Sequence, residues 1–291
     1  MSHILTLIAD RSATSLTPAI INRVRNAVGG QPPVVLSPGE AVDITVAKVP
    51  APELVLSMLE GAPIDAIVVK ARGRRKALLV ADMDSTIVTG ETLDDLAAIA
   101  GIGEKIAAIT ARAMNGELDF KEALRARVAM LAGLELTALE QAWHGVRMTP
   151  GAQELVATMR ARGALTALVS GGFSFFTERV AAALGFDHHR SNRLLDDGAT
   201  LTGGVAEPIL DRDTKLETLQ TLAAQRGVKL AATLAVGDGA NDLDMLRAAG
   251  LGVAFHAKPI VAAEARARVD HGGLRALLFA QGYRADDFVT D

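Results

Sequence analysis

Residues 76–91 read KALLVADMDSTIVTGE. The apolar run Ala77–Ala81 leads straight into Asp82-Met83-Asp84-Ser85-Thr86. A short apolar run that ends in turn-forming polar residues reads as a buried strand of a parallel sheet. The polar group then lies just past the strand's carboxyl end, the edge where open α/β sheets bind ligands. Asp82 and Asp84 are separated by one residue, Met83, so in extended backbone their side chains share a face. Carboxylates that close repel unless a cation or a shared proton relieves them. That points to a divalent metal, to acid/base chemistry, or to both. The alternative is an acidic turn that caps a following helix, with Ser85 or Thr86 as N-cap.

The chain has 291 residues, a length that suggests two domains. With 49% hydrophobic residues it can bury a substantial core, and with only 3% aromatics Ala, Leu and Val must do most of the packing. The net charge is -4 and no basic tract is interleaved with aromatics, which argues against nucleic acid as a partner. No cysteine is present, which excludes disulfides, thiolate metal sites and cysteine nucleophiles and fits a reducing compartment. The N-terminal MSHILTLIAD has no basic segment before its short apolar run, unlike a signal peptide. No segment reaches the roughly 20 apolar residues that span a membrane. The expectation is a soluble, cytoplasmic globular protein with no membrane contact.

Before the opening stretch, apolar runs at Ile4–Ala9, Val34–Leu36, Ala41–Val46 and Ile64–Val69 read as strands. Pro18–Ala27 and Pro52–Leu59 have helical spacing, and Ser37-Pro38-Gly39-Glu40 reads as a turn. The order β-α-β-β-α-β predicts a ferredoxin-like domain over residues 1–75. The polar break Arg72-Gly73-Arg74-Arg75-Lys76 places the boundary there. Residues 93–145 carry apolar residues at three- and four-residue spacing and no strand signal, so they form a helical insert. After Pro150-Gly151, strands alternate with helices: strands at Ala164–Val169, Ala232–Val236 and Leu251–Phe255, helices at Ala152–Ala161, Phe173–Leu184, Lys215–Gln225, Leu243–Ala249 and Leu274–Ala280. A hairpin is expected around Asp197-Gly198. The pattern predicts an α/β class, a doubly wound Rossmann-like parallel sheet with helices on both faces.

Three further sites follow predicted strands or open helices. Ser170-Gly171-Gly172, before a helix, lets backbone N–H groups approach an anion. Lys215 lies early in a helix, where a cation opposes the helix dipole unless an anion is near. Gly237-Asp238-Gly239-Ala240-Asn241-Asp242 places two more carboxylates on a tight loop. Taken singly, a Gly-rich turn, a surface Lys and an acidic turn explain them. Together they offer metal ligands, a cation, a hydroxyl and anion-binding N–H groups at one sheet edge, the parts that phosphoryl transfer needs. There is no HExxH motif, and the 237–242 loop lacks the Lys-Ser/Thr of a P-loop.

These stretches, in this order, resemble the four motifs of the haloacid dehalogenase superfamily of phosphatases. Asn192-Arg193-Leu194, Leu201-Thr202-Gly203 and Ala257-Lys258-Pro259-Ile260 are similar to patterns of its phosphoserine phosphatase family. The resemblance covers about residues 76–282. It implies Asp82 as nucleophile, forming an aspartyl phosphate, and Asp84 as general acid and then base. It implies Ser170 and Gly171 as phosphate ligands, Lys215 as the neutralising cation, and Mg²⁺ held by Asp82, the Asp84 carbonyl and Asp238. Asn241 is placed with the substrate-binding residues, and Asp242 supports the metal shell. The helical insert becomes a cap over residues 91–148, leaving 76–90 and 149–291 as core. Glu91 is then expected to meet the substrate ammonium and Arg127 its carboxylate, with Met114 and Phe120 as apolar cover. Each of these four has a plainer alternative as a helix-end acid, a surface Arg or cap core. The implied activity is Mg²⁺-dependent hydrolysis of phosphoserine, the last step of serine biosynthesis. Residues 1–75 resemble the small ACT-like regulatory modules. Their Ala9–Thr14 turn lacks the glycine of many ligand-binding examples, which leaves serine sensing, homodimerisation and packing as alternatives. His144, His188, His189, His256, His271 and Trp143 show no metal-ligand spacing and are assigned to structure or surface.

Overall fold

The structure, a computed structural model, describes residues 2–114 and 119–290, with side chains for 2–110 and 119–290. The first strands are β1 (His3–Ala9), β2 (Val34–Ser37), β3 (Ala41–Val46) and β4 (Ile64–Lys70), joined through helices α1 (Pro18–Ala27) and α2 (Pro52–Leu59). Thr17 caps α1 and Pro18 opens it, the residue types that helix starts favour. The sheet is four-stranded, in the order β2-β3-β1-β4, and its pairs are antiparallel. Its two faces differ. Leu5, Leu7, Val42 and Ile44 pack with Val24, Val55 and Leu59 of the two helices. Ile8, Ala41 and Ile67 instead join the main core of the molecule, together with Leu277 and Leu278.

The second sheet holds β5 (Leu78–Ala81), β6 (Leu165–Phe173), β7 (His188–Asn192), β10 (Thr233–Gly237), β11 (Leu251–Phe255) and β12 (Ala267–Val269). It is six-stranded and parallel, in the order β12-β11-β10-β5-β6-β7. Alternation along the strands divides the core in two. Leu79, Ala81, Leu168 and Val236 face α7 (Ala152–Ala161) and α8 (Ser174–Leu184), and α12 (Arg275–Ala280) packs in the same cluster. Leu78, Val80, Ala167 and Ala235 face α9 (Arg212–Gln225) and α10 (Leu243–Ala248). This is the doubly wound arrangement.

Between β5 and α7 lie α3 (Thr92–Ile99), α4 (Gly103–Met114), α5 (Phe120–Ala129) and α6 (Thr137–Gly145). They rest partly on the hairpin of β8 (Leu194–Asp196) and β9 (Leu201–Val205). Gly203, at φ +80, sits so close to α5 that a Cβ would fall 2.9 Å from that of Ala132 and 3.1 Å from the Ala129 carbonyl.

Several elements differ from the sequence reading. β6 continues through Phe173, which pairs with Asn192 after a break in register. Asn192 Nδ2 donates to the Gly171 carbonyl at 2.8 Å and keeps the Ser-Gly-Gly segment extended. α9 starts at Arg212, three residues before Lys215, with Asp211 and Thr214 forming a capping box. The edge strands β7 and β12 and helix α11 (Pro259–Glu264) are additional. β7 opens on exposed His188-His189-Arg190, without apolar alternation, and β12 is only three residues long.

The basic stretch 72–76 is anchored on both sides. Arg74 donates to both Asp43 oxygens at 2.6 and 3.0 Å, to Thr6 Oγ1 at 3.1 Å and to the Phe279 and Ala280 carbonyls. The Arg75 guanidinium lies 4.5 Å from the centre of the Tyr283 ring. Lys76 Nζ donates to the carbonyls of Gly73 and Ala231. Asp65 on β4 accepts from the backbone N–H groups of Asp270, His271 and Gly272 at 2.7, 3.2 and 2.8 Å.

Candidate active site

β5, β6 and β10 are neighbours in the sheet, so the segments at their carboxyl ends converge. They bring Asp82, Ser170 and Asp238 to one cleft of about 420 Å³. After Asp82 the chain winds through Met83–Ile87 and is closed by a bond from Val88 N–H to the Met83 carbonyl. Ser85 sits in this turn at φ +53. Neither Ser85 nor Thr86 caps a helix, because α3 begins later, with Glu91 at the N-cap position.

The floor of the cleft is acidic. Carboxylate oxygens of Asp82, Asp238 and Asp242 lie within 4.8 Å of one another, and all three residues are buried. Asp82 Oδ1 accepts from Met83 N–H and lies 2.8 Å from Lys215 Nζ. Lys215 also donates to Asp242 at 2.7 Å, and its side chain is only 2% exposed. It therefore lies under the floor, gripping two carboxylates, rather than on the cleft wall. Burial alone would lower its pKa, but the charges of Asp242 and Asp82 outweigh that and hold it raised, so Lys215 stays an ammonium. Burial, reinforced by the Asp82 charge, pushes Asp238 up to about 6 and Asp242 up to about 7.

Charge arithmetic explains why. Among the described residues, Asp82, Asp84, Glu91, Asp238 and Asp242 face only Lys215, Lys258 and Arg127 as cations. A phosphate ester would add more negative charge. A divalent cation among Asp82, Asp238 and Asp242 would relieve this excess, and hard oxygen donors suit such an ion.

Asp84 belongs to a different network. Its Oδ1 accepts from the N–H and Oγ1 of Thr92 at 2.9 and 2.8 Å, and its Oδ2 accepts from Ser170 Oγ at 2.9 Å. Burial raises its pKa and the Asp82 charge adds to this, against the bonds from Thr92 and Ser170. A buried carboxyl with a raised pKa can carry a proton to a leaving group. Gly172 N–H donates to Ser170 Oγ, and a Cβ at Gly172 would stand 2.9 Å from Asp84 Oδ2. Any larger residue there would displace the acid.

The remaining wall comes from the cap helices and the loop after β11. Phe120 opens α5 and covers Gly171; a Cβ there would lie 3.2 Å from its ring. Arg127, two turns further along the same face of α5, lines the cleft with its Nε bonded to the Ala123 carbonyl. Burial lowers its pKa, against the pull of Asp94 and Glu91. Glu91 is exposed at the mouth yet closely flanked by protein, so desolvation raises its pKa against a 2.7 Å bond from Ser85 Oγ. Asn241 also lines the cleft, while the Met114 side chain lies outside the described residues. Sequence reasoning gave Ser85 only the alternative of a helix cap and assigned no role to Thr92 or Lys258. Lys258 lines the cleft 3.5 Å from Asp238. Its position after β11 in Ala257-Lys258-Pro259-Ile260 was a usable signal, whereas nothing local marks Thr92 or Ser85.

A sequence model of haloacid dehalogenase-like hydrolases matches residues 79–247. This chain belongs to that family. Among curated relatives of this haloacid dehalogenase-like hydrolase is a phosphoserine phosphatase of Streptomyces coelicolor, 44% identical over 226 residues, which are 77% of this chain and 55% of the relative. Another, from Lactococcus lactis, is 43% identical over 203 residues, 70% of this chain and 94% of the relative. The chain spans about half the length of the Streptomyces protein and of a Mycobacterium tuberculosis relative. The unliganded structure of a probable phosphoserine phosphatase from Vibrio cholerae matches 97% of this chain and 86% of its own, with TM-score 0.79 and 35% identity. A phospho-aspartyl intermediate analogue of phosphoserine phosphatase matches 70% of this chain and 98% of its own, with TM-score 0.66 and 40% identity.

Proposed function

We propose that this hydrolase is a Mg²⁺-dependent phosphoserine phosphatase, releasing serine and phosphate in the last step of serine biosynthesis. The observation that carries this reading is the pairing of a phosphoryl-transfer floor, Asp82 and Asp84, with Glu91 and Arg127 on one cleft. A phosphate ester of an α-amino acid offers a dianion, an ammonium and a carboxylate. The cleft offers a partner for each.

Asp82 Oδ1 is held by Met83 N–H and Lys215, which leaves Oδ2 to attack phosphorus. The P–O bond to the serine oxygen breaks, and Asp84 gives its proton to that oxygen. Asp84, now ionised, takes a proton from water, whose oxygen attacks phosphorus; the P–O bond to Asp82 breaks, releasing inorganic phosphate and the free Asp82 carboxylate. Ser170 Oγ and the Gly171 N–H take up phosphoryl oxygens, and Lys215 steadies the Asp82 carboxylate. Asn241 also lines the cleft and is placed with the substrate-binding residues. Asp82, Asp238 and the Asp84 backbone carbonyl would hold Mg²⁺, with Asp242 bonded to Lys215 beside them. When bound, the ion offsets phosphate charge and polarises its oxygens. Residues 91–148 act as a cap: Arg127 grips the carboxylate, and Phe120 excludes water.

Residues 1–75 form an ACT-like regulatory or dimerisation domain and 76–291 the phosphatase domain, in a cytoplasmic protein that pairs as a homodimer. Two measurements test these readings. The first is phosphate release from L-phosphoserine with Mg²⁺ and then with EDTA. Turnover of other phosphate esters but not phosphoserine overturns the substrate. The second is sedimentation of the full chain, where a species of one chain mass overturns the dimer.

A further inference from the structure

We propose that Ser85 is a positioning residue that aims the Glu91 carboxylate at the substrate ammonium. The inference rests on the phosphoserine reading above. Ser85 has φ +53, one of three positive values among the described non-glycine residues. Glycine is the ordinary occupant of that conformation, and a side chain there needs a reason. The reason is a pair of bonds. Ser85 N–H donates to the Gly90 carbonyl at 3.0 Å, and Ser85 Oγ donates to Glu91 Oε1 at 2.7 Å.

Glu91 holds the N-cap position of α3, where a side-chain oxygen ordinarily turns to the helix's own N–H groups. It makes no such bond. The first of those N–H groups, on Thr92, goes to Asp84 instead. The Ser85 hydroxyl thus draws Glu91 away from its helix and towards the cleft, using one carboxylate oxygen and leaving the other for a ligand. Thr92 bonds Asp84 while Ser85 bonds Glu91, so the 84–92 loop is closed by its own side chains. Glu91 is consequently fixed to the nucleophile loop, whereas Arg127 rides on α5. A cation facing Glu91 therefore meets a carboxylate already oriented before the cap contributes.

The test uses the full chain with Mg²⁺ and two variants, Ser85→Ala and Ser85→Gly. Both delete the hydroxyl, but glycine also relieves the left-handed backbone. The substrates are L-phosphoserine and its deamino analogue, 3-phosphooxypropionate. Loss of a hydrogen bond to a charged group predicts that kcat/KM for phosphoserine falls about tenfold in both variants, through KM rather than kcat. The deamino analogue keeps its rate. Equal losses on both substrates, a loss in the alanine variant alone, or no loss in either would each overturn the proposal. Unmodified protein that releases no phosphate from phosphoserine overturns the functional reading and this inference with it. Unmodified protein that turns phosphoserine over, with both variants unchanged, overturns this inference alone.

Discussion

Asp82 and Asp84 stand two positions apart, yet their carboxylates enter separate hydrogen-bond networks. Asp82 faces Lys215 and the acidic floor; Asp84 faces Thr92 and Ser170. Replacing Asp84 with Asn should lower kcat for phosphoserine about 10²–10⁴-fold, the usual worth of a general acid. Turnover of p-nitrophenyl phosphate, whose leaving group needs no proton, should lose less in the step that forms the aspartyl phosphate, a difference that burst kinetics would read. The floor also makes a pH prediction. Asp238 and Asp242 hold their protons to about 6 and about 7, above the ordinary 3.8. Without metal the folded protein binds protons there that the unfolded chain has released. That contribution to stability is present at pH below 3.8 and is lost as pH rises through 6 to 7. Thermal melts of EDTA-treated protein should show the loss. Mg²⁺ at a hundredfold its Kd should add about 2.7 kcal/mol at pH 7.5 and much less at pH 5, where protons compete. Equal stabilisation at both pH values would count against a carboxylate metal site.

Elements place these residues through close backbone approach. The end of β10 carries Gly237, where a Cβ would collide with the Asp242 carboxylate. Gly237→Ala should therefore cost about 1–3 kcal/mol in urea unfolding, as overpacked sites do, and should weaken metal binding measured by calorimetry. Helix α5 presents Phe120 and Arg127 to the cleft. Arg127→Ala should raise KM for phosphoserine tenfold or more, about the worth of a charged hydrogen-bond pair, while an aryl phosphate without a carboxylate is unaffected. The helices and central strands at this scale were legible because periodicity reports a buried face directly. β7 and β12 were not: an exposed edge strand and a three-residue strand carry too little alternation to be distinguished from loop.

Across the whole molecule, the junction of the two sheets is a buried polar contact. Arg74 bridges Thr6 and Asp43 to the carbonyls of Phe279 and Ala280. Asp65 receives three backbone N–H groups from residues 270–272. Removing one partner of a buried ion pair leaves the other uncompensated. Arg74→Ala should cost about 3 kcal/mol in urea unfolding, with Asp43 stranded. An unchanged midpoint would mean that water reaches Asp43 and the junction is loose.

From the sequence alone came the fold class, the order of the motifs and the residue types at the sheet edge. Those follow from local physics: apolar period, turn chemistry, and the cost of leaving paired carboxylates without a cation. Only the tertiary structure decided which carboxylate meets which partner. It buried Lys215 beneath the floor, turned Asp84 to Thr92 and Ser170, and brought Lys258 to Asp238. It also made the basic stretch at 72–76, which reads as a polar break, into an anchor through the half-buried Arg74. The reason is that such pairings join residues far apart in the chain. Their distances are set by how sheets and helices pack, and a one-dimensional pattern carries no record of that.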